Sequence, residues 1–222
     1  YVPASVKDSK LRAIEAAGAT PVRVEGSRQD VTDACVEEAV SDGSDAWYAS
    51  HAWNPAFFAG TATFAYETAL QRDWTAPDAV VTPLGHGTLF LGAYRGFRAL
   101  ERAGWIDDVP RLYGAQAAGY APIAAELHGD VDGSNDVADG IQIRDPVQRE
   151  AILDAIDATD GDAIAVGEAS VADELDRLHR AGFYTEPTCA VAPAALAELR
   201  GRGEIGADED VVVPLTGSGL KG

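Results

Sequence analysis

The run AVVTPLGHGTLFLGAYRGFRAL, residues 79–100, constrains the fold of this chain more than any other stretch. An apolar, β-branched segment meets a short turn built on Gly85 and Gly87, and a long amphipathic segment follows. Strand, glycine turn and helix in that order form the βα unit of a parallel sheet. Such a turn leaves bare backbone N–H groups at a helix N-terminus, an arrangement that binds an anion.

The rest of the chain repeats that alternation. The patterning predicts helices over Val6–Ala17, Asp30–Val40, Thr61–Arg72, Thr88–Ala103, Ala121–Leu127, Gln148–Ala158, Val171–Arg180 and Pro187–Arg200. Leu11, Ile14 and Ala17 share one face of the first helix, which Gly18 stops. The third helix turns Phe64, Ala65 and Leu70 inward. Strands are predicted in TPVRVEG, in DAWYASHAWNP, over Ala79–Thr82, in RLYGAQAAG, in DAIAVG and in the closing DVVVPLTG. The acidic segment HGDVDGSNDVADG reads as a solvated, mobile loop. The class is therefore α/β, an open, mostly parallel twisted sheet with helices on both faces. Ligands of such sheets bind beyond the carboxyl ends of the strands, where the glycines cluster. A composition shift near Asn54 and Pro55 marks a boundary, giving segments 1–52 and 53–222.

Charge limits the partners. Asp and Glu number 36 against 17 Lys and Arg, a net charge of -19, so nucleic acid and anionic membranes are repelled. Acids spread this evenly suit a very salty cytoplasm, where screening relieves self-repulsion. Cys35 and Cys189 are far apart, which argues against a disulfide framework and for a reducing cytoplasm. His51, His86, His128 and His179 lack metal-ligand spacing. No apolar run reaches membrane-spanning length, and no signal peptide is seen. The chain opens YVPAS and contains no Met, which points to a piece of a longer protein.

Two phosphate-binding motifs fail on inspection. Gly87 and Gly92 have the outer spacing of a P-loop, but Ala93 stands where its Lys is required. GSGLKG, residues 217–222, has dinucleotide-fingerprint spacing but no helix after it.

Taken together, PLGHGTLFLG after one strand and PLTGSGLK after another resemble the fold-type II pyridoxal-phosphate enzymes, and within them the threonine synthase branch. AGATPVRVEG, NPAFFAGTATFAYE and GFYTEPTCAVA extend the resemblance across the chain, with Cys189 where Ser is usual. The resemblance implies a tryptophan synthase β-like fold, incomplete here. Residues 1–52 would be a remnant of the small domain and residues 53–222 the large, cofactor-binding one. It also implies pyridoxal 5'-phosphate as cofactor. Backbone N–H groups of Gly85, His86, Gly87, Thr88 and Leu89 would hold its phosphate, and the Thr88 hydroxyl could add a donor. Thr216 would bond the pyridine nitrogen, and Gly217 and Gly219 would let their loop pass the ring. His86 stands where Asn is common; as a neutral imidazole it donates one hydrogen bond and is no base. Outside the motif residues, Glu186 and Glu168 read as helix-start acids, and Tyr48, His51 and Asn54 as packing near the boundary.

The family's cofactor-tethering lysine, in an S-x-K context, matches nothing in these 222 residues, which contain only Lys7, Lys10 and Lys221. By resemblance the parent protein converts O-phosphohomoserine and water to threonine and phosphate, acting on a small amino-acid substrate, while this chain alone is inactive. The alternatives are another fold-type II lyase, such as threonine dehydratase or cysteate synthase, or a non-catalytic domain that binds phosphate or cofactor. A homodimer, or complementation by a missing N-terminal part, would complete the site.

Overall fold

A computed structural model describes residues 1–6, 8–129 and 131–221. Lys7 lies outside the described residues, as does the side chain of Lys221. The chain divides into two compact units, residues 1–50 and 51–222.

The first unit pairs two short parallel strands, β1 (Val2–Pro3) and β2 (Arg23–Val24), with helices α1 (Asp8–Ala16) and α2 (Arg28–Val40). TPVRVEG is thus a strand only at its centre. Leu11 is buried, whereas Ala17 lies beyond the helix and is exposed. Ser27 caps α2 in a reciprocal box with Asp30: the Asp30 N–H donates to Ser27 Oγ, and Ser27 N–H donates back to the carboxylate at 2.6 Å. That bonding, led by the Ser27 hydroxyl, holds the Asp30 carboxyl below its ordinary pKa.

In the second unit a four-stranded sheet runs β5 (Asp162–Val166), β4 (Arg111–Ala117), β3 (Ala79–Pro83), β6 (Val211–Val212), every pair parallel. Alternation along the strands separates two cores. Ala79, Val81, Tyr113, Ala115 and Ile164 face α7 (Glu168–Arg180) and α8 (Pro187–Arg202), meeting Val171, Val191 and Leu199. Val80, Leu112 and Ala163 face the opposite way, toward α3 (Pro55–Gln71), α4 (Thr88–Arg102) and α6 (Arg149–Asp157), meeting Phe58, Phe97 and Ile152. Helices on both faces of an open parallel sheet are what the sequence predicts. The remaining helix, α5 (Pro122–His128), has no capping side chain of its own; buried Gln116 of β4 caps it from outside, accepting the N–H groups of Ile123 and Ala124 at 3.0 Å.

Four expectations need correction. DAWYASHAWNP forms no strand: residues 45–50 are without regular structure, and α3 begins at Pro55, capped by Asn54, whose side chain accepts the Ala56 N–H at 2.9 Å. On α3, Leu70 is 58% exposed and small residues, Ala62, Ala65 and Ala69, fill the buried face. Phe58 completes that face, and the two helices approach closest at Gly92 and Gly96 of α4, where a Cβ would collide with Thr61, Ala62 or Ala65. DVVVPLTG pairs only through Val211 and Val212, because Pro214 has no N–H to extend the ladder. The acidic segment is anchored, not solvated throughout (Asp130 itself is not described). Asn135 is fully buried, donating to the Val166 carbonyl at 3.0 Å and accepting the Ala138 N–H at 3.1 Å. Glu168 accepts the Asp136 N–H at 2.9 Å.

Candidate active site

The glycine turn leaves the carboxyl end of β3 and becomes α4 at Thr88. Gly87 is the N-cap, with φ 80° and ψ 13°, a left-handed conformation that costs any residue with a Cβ. A Cβ there would also lie 2.6 Å from Cδ1 of buried Ile152. Having no side chain, Gly87 leaves this helix end without a side-chain cap. The first helical bond runs from Leu91 N–H to Gly87 C=O at 2.8 Å, so the N–H groups of Thr88, Leu89 and Phe90 have no acceptor within the helix. No acid sits in the first turn of α4, so the positive end of its dipole is not neutralised locally, in a chain rich in acids.

The surroundings of the turn are specific. A Cβ on Gly85 would stand 3.3–3.5 Å from Ile143 and Ile141, so the short 3-10 helix Asp139–Ile141 and its continuation lie against it. Thr88 turns toward His51: its hydroxyl donates to the His51 carbonyl at 3.3 Å and lies 3.1 Å from Nδ1 of that ring. In this geometry the hydroxyl serves the protein, and what the turn presents to a ligand is backbone. Thr61 fixes the same residue from α3, donating to the Thr88 carbonyl at 2.9 Å. His86 is half-buried and sits edge-on to His51, ring centres 5.7 Å apart. Leu89 is half-buried and contributes its N–H.

Thr216 lies in the loop that follows β6, the strand next to β3. β6 pairs with β3 as Ala79↔Val211 and Val80↔Val212. Because β6 and β3 are parallel neighbours, the Thr216 loop and the Gly85 turn both lead away from the carboxyl ends of adjacent strands. Thr216 is exposed, its hydroxyl 3.5 Å from Sγ of buried Cys189. Its loop is tied to the α7–α8 connection: Gly219 N–H donates to Tyr184 C=O at 3.0 Å, and Thr185 bridges Ser218. A Cβ on Gly217 would collide with the carboxylate of Glu186, the N-cap of α8. An open hollow of about 430 Å³, lined by residues including Tyr184, Thr185, Leu215 and Thr216, lies beside the loop.

A family model described as pyridoxal-phosphate dependent enzyme matches residues 1–217. The chain belongs to that family. Its similarity to threonine synthases is substantial: 31% identity over 211 residues with that of Methanocaldococcus jannaschii, covering 92% of this chain and 51% of the relative. With that of Methanosarcina acetivorans it is 33% over 181 residues, 78% and 45% of the two chains. The chain thus spans about half the length of these curated relatives. Solved structures agree on the fold. Threonine deaminase isoform 2 of Solanum lycopersicum superposes with a TM-score of 0.76 at 21% identity, over 98% of this chain and 61% of that one. Serine racemase of Dictyostelium discoideum gives 0.73 at 22%, over 98% and 67%.

Pyridoxal phosphate is the cofactor of this family, and the residues present fit it. An uncapped, acid-free helix start with a left-handed glycine suits a phosphate, and an exposed hydroxyl in the loop after the adjacent strand suits a ring. Sequence reasoning missed Cys189 as the partner of the Thr216 loop, and Ile141 and Ile143 as the wall over Gly85. The first was visible only as the odd residue of its motif. Of the lysines, Lys10 lies on α1 in the first unit. Among the described residues, no helix is long and apolar enough to cross a membrane, and no group of three or more His, Cys, Asp or Glu side chains could hold a metal.

Proposed function

We propose that this chain supplies the phosphate cradle and the ring-nitrogen loop of a threonine synthase, which converts O-phosphohomoserine and water to threonine and phosphate. The lysine that tethers the cofactor is contributed from outside these 222 residues. The observation that carries the reading is that the uncapped Gly85–Leu89 turn and the Thr216 loop both follow the carboxyl ends of two adjacent parallel strands. The similarity to threonine synthases supports the choice within the family.

Pyridoxal phosphate, when bound, supplies the electron sink for chemistry at the substrate's α and β carbons. The chain's own part is to hold and orient. Backbone N–H groups of the turn take the phosphate. The Thr216 hydroxyl donates to the ring nitrogen, and being neutral it does not hold that nitrogen protonated as a carboxylate would. The side chains of Ile141 and Ile143 keep the phosphate end enclosed against Gly85.

The chain alone should bind pyridoxal phosphate reversibly, seen as a fluorescence change on titration. Borohydride should fix no stoichiometric adduct at a single lysine. A unique adduct at Lys7, Lys10 or Lys221 with turnover overturns the assignment of the lysine to another segment. Supplying the lysine-bearing region then tests the reaction: release of phosphate with threonine supports it, and formation of a 2-oxo acid from threonine indicates a dehydratase instead.

A further inference from the structure

Cys189 is fully buried on the first turn of α8, yet its thiol faces the loop that carries Thr216. Three contacts converge on Sγ. The Gly217 N–H donates to it at 2.7 Å, the thiol donates to the Gly217 carbonyl at 3.1 Å, and the Thr216 hydroxyl lies at 3.5 Å. The same carbonyl also accepts the Glu186 N–H at 3.3 Å. One side chain therefore grips both backbone groups of the residue after Thr216.

We infer that Cys189 is a positioning residue: its thiol clasps Gly217 and so fixes the Thr216 hydroxyl where the ring nitrogen would lie. The inference rests on the reading of Thr216 given above. Several features make the clasp matter. The loop's paired strand is only two residues long and ends before Pro214, so the ladder cannot hold Thr216 in place. The hollow beside the loop leaves it open on the side of Tyr184 and Leu215. Gly217, free of a Cβ, can approach Glu186 closely enough for its N–H and C=O to reach the thiol. The thiol also has the right chemistry. It can accept from the Gly217 N–H and donate to the Gly217 carbonyl at once, as a hydroxyl also can.

Packing and clasping are separated by two substitutions. Cys189→Val loses the hydrogen bonds and adds about one methyl group; Cys189→Ser keeps the bonds and loses volume. Hydrogen–deuterium exchange of the peptide containing Gly217, in the cofactor-free chain, reads the clasp directly. The loss of one net hydrogen bond predicts exchange about tenfold faster in Cys189→Val, with Cys189→Ser close to the unsubstituted chain. The Kd for pyridoxal phosphate should follow the same order, and the absorption of the bound cofactor should shift in Cys189→Val alone. Exchange in Cys189→Val equal to that of the unsubstituted chain overturns the inference. Should Cys189→Val not fold, the native thiol serves as reporter in a Cys35→Ser background. Pyridoxal phosphate at ten times its Kd should slow modification of Cys189 by methyl methanethiosulfonate about tenfold; no slowing despite bound cofactor overturns the inference. If the unsubstituted chain binds no pyridoxal phosphate, the cofactor reading fails, and the exchange pattern decides the clasp by itself.

Discussion

Gly87→Ala is the sharpest test of the turn, because two independent penalties meet at one atom. At φ 80° the backbone is left-handed, and adding a Cβ there costs about 1–2 kcal/mol. The new methyl would also stand 2.6 Å from Cδ1 and 2.8 Å from Cγ1 of Ile152, which is completely buried and has little room to retreat. Overpacking of that kind adds about 1–3 kcal/mol. The sum is about 2–5 kcal/mol, a large share of the stability of an ordinary domain. Urea denaturation followed by circular dichroism would show it as a midpoint lower by about 1–2.5 M, if the slope lies near 2 kcal/mol/M. The steric part can be isolated. Ile152→Val deletes Cδ1 and by itself costs about 1 kcal/mol. Combined with Gly87→Ala it should recover about 1 kcal/mol, so the double variant is more stable than the sum of the singles predicts. Strict additivity would refute the overlap with Ile152, and an unchanged midpoint in Gly87→Ala would refute the left-handed turn itself.

Gln116→Leu should cost about 1–3 kcal/mol, because two buried N–H groups at the start of α5 lose their acceptor; amide exchange of Ile123 and Ala124 should accelerate together. Asn135→Ala should release the segment around residues 131–138, and limited proteolysis should then cut there while the intact protein resists. Thr216→Ala should weaken pyridoxal phosphate without lowering the urea midpoint, since the side chain is exposed. In the first unit, the Asp30 carboxyl is held low by Ser27, so its support of α2 is present above the ordinary carboxylate pKa and disappears as pH falls through the lowered value. A carboxyl NMR titration should place Asp30 below the ordinary aspartate value, and Ser27→Ala should raise it.

The α/β order and the Gly85–Gly87 turn were legible because each rests on local chemistry: period, β-branching, and glycines where the chain must turn. What was not legible depends on partners. On α3, Phe64 and Ala65 do turn toward the core as their pattern suggests, but Leu70 does not. Phe58, Ala62, Ala65 and Ala69 make the buried face, and small residues are needed where Gly92 and Gly96 bring α4 close. Asn135 sits in a run of Asp and Gly that reads as solvent-facing, and only the carbonyl of Val166 from β5 explains why it is inside. DAWYASHAWNP has strand composition without a strand to pair with. Within the site, the phosphate cradle lies in one continuous stretch and could be read, whereas the grip of Cys189 on Gly217 joins residues 28 apart and needed coordinates.

The order of strands has a consequence for how such a site comes into being. β3, α4 and the turn between them are neighbours in sequence, and a nascent chain can assemble them within a few tens of residues. Their companion strand β6 pairs with β3 only after β4 and β5 have been laid on the other side; Asp78 and Asp210, whose backbones bond at 2.9 Å, are separated by most of the unit. Long-range pairing of this kind is slow, since the loop must be closed before any contact repays it. A growing chain therefore carries the residues of the phosphate turn well before its walls at Ile141, Ile143 and Ile152, and the Thr216 hydroxyl joins them only when the sheet is finished.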